Sequence, residues 1–174
     1  SFFMIINGEI KLSGDKSISH RALMLASISK GVSRIKNLCN SHDVQSTINC
    51  LKNCNADIIQ DRKDYLVKSS VLSNPSKALN CGNSGTTIRL LAGLLAGQGI
   101  QAELYGDQSL MGRPMNRIID PLKEMGVNIE FRNGKIVLKK SNIKSGPIYN
   151  KIPSAQVKSC IILAALGAQG KITL

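Results

Sequence analysis

The sequence has no tryptophan, and only three phenylalanines and three tyrosines among 174 residues. A hydrophobic core must therefore be aliphatic, and a stacking platform for single-stranded nucleic acid is poorly supplied. Acidic residues are also scarce, with eleven Asp and Glu against 23 Lys and Arg, for a formal net charge of +12. The basic residues form no dense tract, and several sit beside Gly and Ser. That scatter fits small anionic partners rather than a nucleic acid. No apolar run approaches the roughly 18 residues a membrane span needs, so no membrane partner is expected. The five cysteines, Cys39, Cys50, Cys54, Cys81 and Cys160, are odd in number and form no CxxC pair. No histidine stands at a matching ligand spacing, so they read as buried, reduced thiols with no metal. With no signal-peptide pattern at the start, the expected compartment is the cytoplasm.

What remains is an ordinary globular composition, 43% apolar and 20% charged. It is long enough for one substantial core. The stretch "SGDKSISHRALMLASIS" sets Lys16, Ser17, His20 and Arg21 just ahead of an apolar run. Two more stretches are built alike: "GNSGTTIRLLAGLLAG" from Gly82 and "PSAQVKSCIILAALGAQG" from Pro153. Each has Ser, Thr or Gln in a first helical turn, then Ala, Leu and Ile, then a glycine stop. Ser17, Ser84 and Ser154 are the expected N-caps, 67 and 70 residues apart. A second helix type starts near Asp43, with Ser41 or Asp43 as its cap, and again 70 residues on near Arg113, with Pro114 in the first turn.

Strand signals fill the gaps at Met4–Ile6, Val32–Leu38, Asp57–Ile59, Tyr65–Lys68, Ala78–Cys81, Ile100–Tyr105, Val127–Phe131 and Lys135–Leu138. "FRNGKIVL" is a hairpin with Asn133-Gly134 at its turn, and "QDRKDYLV" is expected to turn the same way. The expected fold is mixed α/β, built of βαβαββ units, two complete and a third truncated after a strand at Lys171. The third unit's second helix would begin beyond Leu174, so the chain is expected to be one part of a larger whole.

A helix N-terminus carries unsatisfied N–H groups and about half a positive charge. Small residues there let an anion approach the backbone. Capping alone accounts for any one of the three serines. Three similar starts with added donors make an anion site the stronger reading. Lys16 and Arg21 add charged donors. Gly82, Asn83, Gly85, Thr86 and Thr87 form a loop with little side-chain bulk, outside the Walker pattern. Arg113 precedes a helix start, where a cation is electrostatically misplaced unless an anion joins it. Arg89 reads as internally paired, and His20 as a packed or capping histidine rather than a general acid or base.

The segments "GDKSISHRALMLASIS", "GNSGTTIRLLAGLLAGQ", "GDQSLMGRPMNRIIDPLKEMG" and "IPSAQVKSCIILAAL" resemble the 5-enolpyruvylshikimate-3-phosphate synthase family, in order and over nearly the whole chain. The resemblance implies transfer of a carboxyvinyl group from phosphoenolpyruvate to the 5-hydroxyl of shikimate 3-phosphate, releasing phosphate, in aromatic amino-acid biosynthesis. It implies a two-lobed enzyme, monomeric, with no metal or organic cofactor and with glyphosate as a phosphoenolpyruvate competitor. Residues 1–13 would be an opening strand crossing from the second lobe, and 14–174 an incomplete N-terminal substrate-binding lobe. Carried over by motif, Lys16, Ser17, Arg21, Ser154, Ala155 and Gln156 would bind shikimate 3-phosphate. Lys16, Asn83, Gly85, Thr86, Arg113 and Gln156 would bind phosphoenolpyruvate, with Lys16 catalytic. The main proton-transfer carboxylates would lie in the other lobe, leaving this chain inactive alone. A relative of the same fold acts on UDP-N-acetylglucosamine, but it carries Lys-Asn where this chain has Lys16-Ser17. A non-catalytic anion-binding module is the alternative of a different class.

Overall fold

Short polar side chains fix most of the helix starts. The computed structural model describes residues 13–174, so the expected strand at Met4–Ile6 lies outside the described residues. Helix α1 (Lys16–Ile28) is capped by Asp15, whose carboxylate accepts from the Ile18 N–H at 2.7 Å. Ser17 is thus a first-turn residue, not the expected cap: a carboxylate two positions earlier takes that N–H and adds favourable charge at the positive helix end. Ser41 caps α2 (His42–Asn53), Ser84 caps α3 (Gly85–Gly97) and Ser154 caps α6 (Ala155–Ala165), each accepting from the N–H three residues on.

Strands β1 (Val32–Ile35), β2 (Asp57–Asp61) and β3 (Asp64–Lys68) form an antiparallel sheet in the order β1-β3-β2. β1 stops short of Leu38 because Asn37 turns to φ 53°. A second sheet contains β4 (Leu79–Asn80), β5 (Ala102–Tyr105), β6 (Ile129–Arg132) and β7 (Lys135–Leu138), in the order β4-β5-β7-β6, with only β4 and β5 parallel. At its hairpin, Asn133 and Gly134 both take positive φ, 51° and 72°, as a two-residue turn of the I′ kind requires. The remaining pair, β8 (Gly146–Pro147) and β9 (Ile172–Thr173), is parallel and flanks α6. Two elements went unread in the sequence, β8 and the short α4 (Gln108–Met111). α5 (Asn116–Glu124) starts later than expected, so Arg113 and Pro114 lie in the connection between α4 and α5.

The core is aliphatic, as the missing aromatics demand. α3 is its centre, with Ile88, Leu90, Leu91, Leu94 and Leu95 all essentially inaccessible. The helices beside it run the same way. Lys16 meets Asp43, His20 meets Thr47, Thr47 meets Thr87, Gln156 meets Thr86, and Gly93 backs onto Cys160. Residue numbers rise together across every contact, so α1, α2, α3 and α6 present their N-termini at one end. α3 and α6 pack backbone to backbone. A Cβ on Gly93 would overlap the Cys160 carbonyl, and one on Gly97 would stand 2.6 Å from the Ala164 carbonyl. Gly97 therefore lies inside α3 as a packing residue, not past its end as a cap, and Gly99 takes the positive φ beyond it, 68°.

Candidate anion-binding site

Where the four N-termini gather, two guanidinium groups meet a glycine, and the charge of a third, Arg117, is felt by one of them. Gly85 opens α3, and a Cβ there would lie 3.1 Å from an Arg89 terminal nitrogen and 3.3 Å from one of Arg113. Burial, then the neighbouring charges of Arg113 and Arg117, hold the Arg89 guanidinium below the ordinary arginine range. Its Nε is buried without a hydrogen-bond partner. Among the described residues, none of these three arginines takes part in an ion pair. Like charges brought together and partly desolvated, with no carboxylate between them, make a site that favours an anion.

The polar groups around Gly85 are held in place by each other. Arg89 donates to Gln156 Oε1 at 2.7 Å, and Gln156 Nε2 donates to Thr86 Oγ1 at 3.0 Å. Arg113 donates to Asn83 Oδ1 at 3.2 Å, and Asn83 Nδ2 donates to both Asp107 carboxylate oxygens at 2.9 and 2.8 Å. Asp107 in turn caps α4 through the Leu110 N–H. That N–H, the Asn83 amide and the Arg113 charge hold its carboxyl below the usual aspartate range. Asn83, Gly85, Thr86, Arg113 and Gln156, all named from the sequence, therefore come together.

Lys16 lies on the α1 side, where its Nζ donates to Asp43 Oδ2 at 2.9 Å. This hydrogen bond and the Asp43 charge raise its pKa. The ammonium side chain is half exposed, so the pair is worth about 0–1 kcal/mol and the lysine is easily redirected to a stronger anion. Ser17 is exposed and Arg21 half-buried, one turn apart on the same helix. Ser154 spends its hydroxyl on the Val157 N–H, and Ala155 is exposed at the open end of α6. Sequence reasoning did not name Arg117; it read Arg89 as internally paired, and Arg89 does donate to Gln156. For Arg89 the available signal was its spacing of four from Gly85, which puts the two on one face of α3.

His20 is fully buried, and its pKa is pushed down to about 4. Burial is the main cause; Asp43 opposes it, and Lys16 and Arg21 add to it. The imidazole is therefore neutral when folded but takes up a proton near pH 6.5 when unfolded. Stability from this group is complete above about pH 6.5 and is lost as pH falls toward 4, by about 2 kcal/mol at pH 5. Urea unfolding across this range should show the loss, and His20→Asn should flatten it. Equal pH dependence of the two proteins would rule out a buried neutral His20.

The family model described as EPSP synthase (3-phosphoshikimate 1-carboxyvinyltransferase) matches residues 4–174. The 3-phosphoshikimate 1-carboxyvinyltransferase of Thermoanaerobacter sp. (strain X514) is 48% identical over 174 residues, covering 97% of this chain and 41% of its own length. That of Thermodesulfovibrio yellowstonii is 47% identical over 177 residues, with the same coverages. The solved EPSP synthase of Acinetobacter baumannii superposes with a TM-score of 0.86 at 32% identity, over 95% of this chain and 40% of that one. The chain spans about two-fifths of the length of the relatives it matches. Among the described residues, no helix is long and apolar enough to cross a membrane.

Proposed function

Because this chain belongs to the EPSP synthase family, we propose that it forms one wall of a site that transfers the carboxyvinyl group of phosphoenolpyruvate to the 5-hydroxyl of shikimate 3-phosphate. The observation that carries this reading is the meeting of Arg89 and Arg113 at Gly85, with the Arg117 charge close enough to act on Arg89 and none of the three in an ion pair among the described residues. Phosphoenolpyruvate brings a phosphate and a carboxylate to that cluster. Asn83, Thr86 and Gln156 supply neutral hydrogen-bond groups around it. Shikimate 3-phosphate takes the outer positions, its phosphate near Ser154, Ala155 and Gln156, with Ser17 and Arg21 on the α1 side. Lys16 stands between the two substrates and exchanges Asp43 for their anionic groups. Its positive charge offsets charge shifting onto the departing phosphate.

In this reading the 5-hydroxyl adds to C2 of phosphoenolpyruvate and its proton is removed. A proton reaches the C3 methylene carbon, and loss of phosphate and of a methyl proton then restores the double bond. The acid–base groups for these steps belong to the second lobe. Residues 14–174 belong to the N-terminal lobe. The complete enzyme works as a monomer in the cytoplasm. Phosphate release from phosphoenolpyruvate by a two-lobe protein carrying this chain is the test, with shikimate 3-phosphate and UDP-N-acetylglucosamine as rival acceptors. Release only with the nucleotide sugar, or with neither, would reject the assignment.

Gly85→Ala distinguishes the two substrates. The added methyl presses on the ends of Arg89 and Arg113, not on the α1 wall. The expected result is a KM for phosphoenolpyruvate raised about tenfold or more, the scale of one lost charge-assisted contact. The KM for shikimate 3-phosphate should move less than threefold, and inhibition by glyphosate should weaken alongside. Equal rises in both KM values would place Gly85 elsewhere.

A further inference from the structure

A buried line of hydrogen bonds joins the two halves of the site and uses none of the substrate-facing groups. His20 Nδ1 lies 2.7 Å from Thr47 Oγ1, and Thr47 Oγ1 lies 2.8 Å from Thr87 Oγ1. Thr87 Oγ1 reaches both the Asp43 carbonyl at 3.1 Å and the Ser84 hydroxyl at 2.7 Å. His20, Thr47, Ser84 and Thr87 are all inaccessible or nearly so. The line starts on α1, crosses α2 and ends at the cap of α3. Asp43 is its outlet on one side, since the same residue holds Lys16 through its carboxylate. Ser84 is its outlet on the other, since it fixes the turn that presents Gly85.

The donors can be counted. Each threonine has one O–H. Thr87 donates its one O–H to the Ser84 hydroxyl or to the Asp43 carbonyl, so Thr47 donates to Thr87, and His20 donates through Nδ1–H to Thr47. Nε2 is then a bare acceptor, matching its buried position without a partner. The opposite tautomer would bury an unpaired N–H donor, the costlier arrangement.

We propose that His20, Thr47 and Thr87 are positioning residues that lock the Lys16 side and the Gly85 side of the site into a single fixed spacing. The proposal rests on the substrate reading above. The three groups touch no substrate; they act by tying α1, which carries Lys16, to the Ser84 cap that presents Gly85. Loss of one link leaves each half intact but lets α1 and α3 drift relative to each other. Both substrates are then held less well, and by similar factors.

The test is Thr47→Val in the complete enzyme, which removes the hydroxyl and keeps the shape, beside Thr47→Ser, which keeps the hydroxyl. Thr47→Val should raise the KM for both substrates in parallel, by about threefold to tenfold, the equivalent of one hydrogen bond. The turnover number should stay within about twofold, and Thr47→Ser should restore both KM values. A lower melting temperature with both KM values unchanged would make the line merely structural and overturn the proposal, as would a rise in only one KM. If Thr47→Val does not fold, His20→Asn, which retains an N–H donor, should behave nearly as wild type, and His20→Leu should raise both KM values. Imidazole-nitrogen NMR of the wild-type chain supplies an independent readout: a proton on Nδ1 of His20 upholds the line, and one on Nε2 overturns it. No turnover with either substrate would reject the functional reading instead, and the imidazole spectrum would still decide the line.

Discussion

The 174-residue chain alone is expected to release phosphate from phosphoenolpyruvate and shikimate 3-phosphate at least a hundredfold more slowly than a two-lobe enzyme. The chemistry needs one proton delivered to carbon and another removed from a hydroxyl. Positioned acid–base groups contribute about 10² to 10⁴ in rate each. Asp107, the carboxylate beside Arg113, is already committed to Asn83 and the α4 cap. Closure of a second wall, which orients the substrates and excludes water, is lost as well. Weak binding of shikimate 3-phosphate can survive, because Lys16, Ser17, Arg21, Ser154 and Gln156 are all on this chain. A phosphate-release assay beside the Thermoanaerobacter relative decides it. Turnover within tenfold of that enzyme would put the essential acid–base groups within these 174 residues.

Gly93→Ala is expected to harm the fold at its centre, where α3 meets α6. Alanine in a helix interior ordinarily gains about 1 kcal/mol over glycine. Here the new methyl would collide with the Cys160 carbonyl, on a backbone that cannot move without dragging α6. Overpacking of this kind costs about 3 kcal/mol or more, so the net change is a loss of at least about 2 kcal/mol. For a domain this size that lowers the melting temperature by roughly 4–8 °C. Gly112→Ala is the control, because its Cβ would stand an ordinary 3.4 Å from the Gln108 carbonyl. Calorimetry showing Gly93→Ala as stable as the control would mean that α3 and α6 can separate freely. If they do separate, Gln156 should leave Arg89 and Thr86, and affinity for both substrates should fall with stability.

Much of this was legible in the residues. The three Ser-led starts and their aliphatic runs specify α1, α3 and α6. Asn133-Gly134 specifies its hairpin. Small side chains from Gly82 to Thr86 mark the turn into α3. Other features were hidden for physical reasons. Asp15 and Ser17 are both good caps, and only the backbone geometry chooses between them. The strand at Gly146–Pro147 is two residues long and contains the two residues least typical of strands, so propensity argues against it. Gly97 looks like a helix stop in one dimension and is a packing surface in three. The internal partner of Arg89, Gln156, could not be named because it lies 67 residues away.

That distance has a consequence for how the molecule comes into being. Each sheet draws on a short contiguous stretch: residues 32–68 for the first and 79–138 for the second. The bonds that make the site are long-range, from Arg89 to Gln156 across 67 residues, from Gln156 to Thr86 across 70 and from Thr47 to Thr87 across 40. Local pairings close small loops at little entropic cost, and distant ones become favourable only when preformed pieces meet. During synthesis the sheets can therefore form as their segments emerge, while the arginine cluster waits for α6. The candidate site is therefore expected to take its shape after both sheets, and to lose it when α6 parts from α3.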